Sequence, residues 1–181
     1  MSGWLLLLAM VAAVNPFRSR VGLGAAAMPP AAIGVGVAVG LGGVALLATG
    51  ASGILDLLQI TPETFLIAGG LVAIVAGART MFFPQPTEEP LLSGWRAGLW
   101  PLAFPRILSP EVIALSLALA SQRGVGDTML AAAVGVGGLA GLAWRRTGER
   151  SSRVLAALGG IAGMLLIAVG IWMMIEGIRD V

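Results

Sequence analysis

Two dipeptides in this chain, Asn15-Pro16 and Ser109-Pro110, have the composition of a helix start, yet each sits about halfway along an apolar run of membrane length. An Asn or Ser side chain accepts hydrogen bonds from the free N–H groups of a first turn, and proline suits the first helical position because its missing N–H would be an orphan there anyway. Placed inside an apolar run, the signal predicts two half-helices end to end. Discontinuous helices in corresponding positions of two halves present freed backbone groups and helix-end dipoles to a substrate near the bilayer midplane. The chemistry this implies is capture of a carboxylate or another small anion.

Charged residues gather around both breaks. Arg18 and Arg20 follow the first, Arg106 precedes the second, and Glu111 follows Pro110 directly. Ionisable groups at that depth are costly and face a cavity or a partner. The expected substrate-binding set is therefore Asn15, Pro16, Arg18, Arg20, Arg106, Ser109, Pro110 and Glu111. Each has a plainer role to set beside this one. The prolines would merely kink packed helices, the arginines would snorkel to the inner head groups, and Glu111 would complement a helix dipole rather than couple protons or hold an ammonium group.

Composition excludes several alternatives. Of 181 residues 57% are hydrophobic and 11% charged, and the mean hydropathy is +0.95, values far from those of a soluble domain. The chain reads as an all-α integral membrane protein. It has no Lys, His, Cys or Tyr, so Ser109 lacks an ordinary base and Glu111 is a poor substitute. An enzyme is not expected, nor a cofactor or a metal site. No basic stripe with interleaved aromatics suggests nucleic acid. The apolar run near the N-terminus lacks a preceding positive region, so it reads as a retained first helix.

The elements that must position the breaks follow from spans of about 20 residues. Six segments are expected, at about 3–28 (broken at Asn15-Pro16), 31–50, 64–83, 95–121 (broken at Ser109-Pro110), 128–144 and 153–175. Thr61-Pro62-Glu63 has the cap, proline and early acid that open a helix. The polar stretch 84–94 divides the chain into a first three-helix repeat at 1–83 and a second at 95–181. Pro16 and Pro110 are offset by 94, and the Gly69-Gly70 pair matches Gly159-Gly160 at an offset of 90. Three crossings per copy require the second copy to be inverted, placing both breaks near the midplane.

Arginine placement orients the bundle. With the N-terminus outside, Arg18, Arg20, Arg79, Arg96, Arg145, Arg146, Arg150 and Arg153 fall on the cytoplasmic side against Arg123 and Arg179 outside. The positive-inside rule then puts both termini on the extracytoplasmic face of the cell's inner membrane. Trp4 and Trp172 fit the outer interface, and Trp95, Trp100 and Trp144 the inner one. Gly36-x-x-x-Gly40, Gly137-x-x-x-Gly141 and Gly159-x-x-x-Gly163 are small-residue faces expected to pack helices within the chain, with a homo-oligomer seam as the other use.

Taken in order, Asn15-Pro16, the stretch from Thr64-Phe65-Leu66-Ile67-Ala68-Gly69-Gly70-Leu71 to Ala78-Arg79-Thr80-Met81, Pro101-Leu102-Ala103-Phe104-Pro105 before Ser109-Pro110, Leu158-Gly159-Gly160 and Glu176-Gly177-Ile178 resemble the MarC family of six-helix membrane proteins, within the LysE-type superfamily of small exporters. The resemblance covers essentially the whole chain. It implies a transporter, with small neutral amino acids such as glycine and alanine as the substrates of some members. The family's pattern has Asp-Pro and Gly-Asn around the first break and Gly-Pro-Gly around the second, whereas Asn15 stands here in place of the acid and Ser109 and Glu111 flank Pro110. A small organic anion or an anionic lipid head group thus joins the expected substrates. Proton or sodium coupling is compatible with this reading. A non-transporting membrane partner or regulatory subunit is the expectation from another class.

Overall fold

A computed structural model describes residues 3–23, 28–83, 93–145 and 149–180. Among them the chain is helical, with no strand. Helix α1 (Gly3–Val14) stops at Asn15, whose φ of 41° and ψ of 67° lie in the left-handed region that Asn tolerates better than other side chains. Pro16 then opens the short α2 (Pro16–Gly22). Helix α3 (Pro30–Leu58) is longer than its apolar run. It carries Asp56 in its last turn and closes through a left-handed Gln59, with Gln59 N–H donating to Asp56 O and Ile60 N–H to Leu55 O. That is a Schellman closure. The link expected around Asp56 to Glu63 thus shrinks to the few residues before α4 (Pro62–Phe82), where Thr61 accepts from Thr64 N–H as its sequence predicts.

The second broken element is less regular than the first. Residues Gly98–Ile107 form a kinked segment in which Trp100 and Phe104 are extended. Each precedes a proline, which disfavours the helical region for its neighbour, so a regular helix cannot form here. Helix α5 (Pro110–Arg123) follows at an angle of 59°. Gly124, with a φ of 87° that favours glycine, turns the chain directly into α6 (Val125–Ala143). Helix α7 (Glu149–Asp180) is the last.

Helices α3, α4, α6 and α7 are each long and apolar enough to cross a membrane, and the bent pair of the kinked segment with α5 makes a fifth candidate. Only 28% to 39% of each apolar window in those four helices is buried. Their other faces expose Leu46, Leu57, Phe82, Leu130 and Ile161, as lipid contact requires. The core instead belongs largely to the broken elements. Met10 in α1, Leu102 and Ile107 in the kinked segment, and Leu115 and Leu119 in α5 are fully buried. Long helices therefore form a jacket around short ones.

Glycine decides how closely the jacket packs. Antiparallel α4 and α7 touch along a seam in which Glu63 faces Gly177, Gly70 faces Gly170 and Gly77 faces Gly163. A Cβ at Gly70 would lie 2.5 Å from Gly170 O, and one at Gly170 equally close to Gly70 O. Only glycine permits that approach. The seam pairs Gly70 with Gly170, whereas the match of Gly70 to Gly160 at an offset of 90 is a likeness in sequence and not a contact. Among the described residues, a Cβ at Gly160 would meet nothing within 4 Å. Gly36 and Gly40 do pack inside the chain, against Leu102 and Ile107, and Gly159 and Gly163 pack against Arg18 and Thr80. Gly137 and Gly141 do not, since among the described residues no atom lies within 4 Å of a Cβ at either, and the packing role expected of that pair is corrected accordingly. The connecting stretch at 84–92 and Arg146 lie outside the described residues.

Candidate functional site

The two breaks line one cavity. Its volume is about 490 Å³, and its wall takes Asn15, Arg18 and Ser19 from the first break, Arg106, Ser109, Pro110 and Glu111 from the second, and one face of α4. That face runs through Leu71, Val72, Val75 and Ala76 to Arg79 and Thr80. Residues at this spacing share one side of a helix. The cavity is thus apolar along most of α4 and cationic at the helix's C-terminal end.

The first break is fastened on every side. Asn15 is buried, its Nδ2 donates to Gly159 O at 3.0 Å, and its Oδ1 accepts from Arg18 N–H at 3.2 Å. Ser19 Oγ donates to Val14 O at 3.1 Å, satisfying a carbonyl that the break releases. Because α2 has only seven residues and the Arg18 N–H is already taken, the dipole expected there contributes little. Pro16 does not line the cavity but packs beside Gly138 of α6. The second break is lighter. Ser109 Oγ accepts from Val112 N–H at 3.5 Å, and the longer α5 begins there with Glu111 in its first turn. At this break the helix-start reading holds with its dipole.

The arginines divide by role. Arg18 Nη2 donates to Phe83 O at 2.6 Å and to Arg79 O at 3.4 Å, closing the C-terminal end of α4, and Arg18 is also a lining residue of the cavity. Among the described residues, Arg79, Arg106 and Glu111 are close enough for their charges to act on it. Arg106 is buried, 8% exposed, in the kinked segment. Arg20 departs from the expected set. It is fully buried, lies outside the cavity wall, and donates from Nη2 to Arg145 O at 2.5 Å at the end of α6. A cation facing the last carbonyls of a helix is a capping arrangement. These bonds also bring the ends of α2, α4 and α6 together, so arginines assigned to one membrane face share one end of the bundle.

Arg79 and Thr80 are cavity residues that the breaks did not indicate. Arg79 entered the sequence reading through the charge count and through the Ala78-Arg79-Thr80-Met81 stretch of the resemblance, not as a site residue. The available signal was the helical spacing from Leu71 to Thr80, which becomes informative once it is known which face of α4 meets the breaks.

No family model, no curated protein and no solved structure matches this chain. The resemblance to the MarC family accordingly rests on the motifs quoted above.

Proposed function

We propose that this protein is a secondary transporter or exporter of a small metabolite, a small amino acid or a small organic anion, which binds between the two breaks. The observation that carries the proposal is that Asn15, Arg18 and Ser19 and, distant in sequence, Arg106, Ser109, Pro110 and Glu111 line a single cavity. Its volume of about 490 Å³ lies in the range of small-molecule sites. In this reading α1 with α2 forms a sixth crossing, and two inverted three-helix repeats rock about the site. Packing across the halves supports the symmetry. A Cβ at Gly135 of α6 would meet Val14, just before the first break, and one at Gly43 of α3 would meet Leu108, just before the second. Membership of the MarC family and extracytoplasmic termini belong to the same proposal.

Saturable uptake of small amino acids or organic anions by vesicles containing only this protein is the expected result. One observation favours a second reading. The open Gly137–Gly141 face of α6 suits close approach by another transmembrane helix, as in a non-transporting partner or regulatory subunit. Absence of uptake for every candidate, together with co-purification of a membrane partner lost in Gly137→Leu, would favour it over transport.

A further inference from the structure

We infer that the cavity opens sideways to the bilayer along α4 and that an anionic phospholipid completes its wall there, with an acyl chain over Leu71 and Val75 and the phosphate at Arg79. The inference goes beyond the proposed function. It needs α4 to cross the bilayer, but it does not need the cavity to carry a metabolite. The six wall residues of α4 fall into two rows of spacing four, Leu71, Val75 and Arg79 in one and Val72, Ala76 and Thr80 in the other. The second row is half-buried. The first is not: Leu71 is 54% exposed, Val75 60%, and Arg79 is exposed as well. Ala68 and Phe82 lie on the same side of the helix as that first row and are exposed without lining the cavity. That side is therefore the outer surface of the bundle, and the cavity reaches it.

Depth decides what can cover the opening. Leu71 and Val75 lie within a turn of the middle of α4 (Pro62–Phe82), which in a hydrocarbon core about 30 Å thick places them among acyl chains. Water does not fill an apolar opening at that level. An empty opening would leave its lining without dispersion partners on one side. A lipid chain removes that loss, and the lipid-facing surface of α4 runs straight into the opening. Arg79 follows Leu71 in the same row by about 12 Å along the axis, in the last turn of the helix, where phosphates lie. Two apolar residues followed by a guanidinium match one amphiphile, since a guanidinium pairs with phosphate oxygens. The chain lies on the outer row, so Ala76 and Thr80 still face the interior of the cavity. The ordinary role of Arg79 would be to complement the α4 dipole. Arg79→Lys preserves that role and the charge, whereas Arg79→Gln removes both.

The test uses the absence of cysteine from the chain. A fluorophore is attached at Leu71→Cys or, as the reference, at Val134→Cys, which is 51% exposed in the middle of α6 and lines no part of the cavity. The full chain is placed in vesicles of an uncharged galactolipid, and phosphatidylglycerol with acyl chains brominated near mid-length is titrated in. Bromine quenches the fluorophore on contact. Half of the maximal quenching at Leu71→Cys should need a mole fraction about fivefold lower than at Val134→Cys, the gain expected from one arginine near an anionic head group. Arg79→Gln should bring the two positions together, and Arg79→Lys should keep them apart. Equal mole fractions in the parent, or a preference that survives Arg79→Gln, would overturn the inference. So would quenching at Val134→Cys with none at Leu71→Cys, because water or a second copy of the chain would then cover the outer row. Uptake plays no part in this readout, so lipid preference in a chain that transports nothing would overturn the proposed function and leave the lipid site standing.

Discussion

The α4–α7 seam and the cavity at the breaks are neighbours on α4, yet they are held by opposite means. In the seam, Gly70 and Gly170 bring two backbones into contact, and no side chain separates them. Around the cavity the backbone is interrupted twice, and side chains of Asn15, Ser19 and Ser109 serve the released groups. Opposite faces of one helix thus meet a dry, unadjustable partner and a polar, hollow one.

Substitutions can break this contrast at either end. The largest effect is expected for Gly170→Leu, because its Cβ would press on Gly70 O and on the backbone of Ile74. Neither can yield without parting the helices, so the loss should reach about 3 kcal/mol or more. Thermal unfolding in detergent should fall sharply, and an unchanged midpoint would remove the seam from the account. Asn15→Leu is expected to come next. It deletes two hydrogen bonds and puts a branched side chain in left-handed backbone, a loss of about 2 kcal/mol. It should also lower uptake more than its stability loss alone accounts for.

The two breaks themselves should respond unequally. Ser109→Ala removes only a 3.5 Å hydrogen bond, and its stability cost should lie at the low end for caps, about 0.5 kcal/mol. A loss matching that of Asn15→Leu would show that the second break is fastened as firmly as the first. Gly160→Leu is the smallest case. Among the described residues its Cβ meets nothing within 4 Å, so its stability should change by no more than about 0.5 kcal/mol. A large loss there would show that Gly160 meets a neighbour as closely as Gly70 and Gly170 do.

What the chain disclosed in advance follows the range of the forces involved. Asn15, Thr61 and Ser109, each followed by proline, mark helix starts because capping is settled within one turn. The breaks were legible for that reason, and so was the apolar jacket. The partner of a glycine is another matter. Gly70, Gly160 and Gly170 look alike in sequence, and only the crossing of α4 and α7 decides which pair meets. The fate of the arginines is equally nonlocal. Arg18 and Arg20 are two positions apart and point to the ends of different helices, α4 and α6, so one lines the cavity and the other does not. Arg79 joins them from a helix that carries no break.

The central claim is that the metabolite occupies the cavity between the breaks. The chain contains no cysteine, so a single thiol at Ala76, which lines the cavity, can be followed without background. Vesicles carrying Ala76→Cys should react with a small water-soluble thiol reagent, and the compound taken up by the parent should slow that reaction as it saturates. Gln122→Cys, exposed near the end of α5, should react at a rate the compound leaves unchanged. Equal rates at Ala76→Cys with and without a saturating amount of the transported compound would contradict a substrate site between the two breaks.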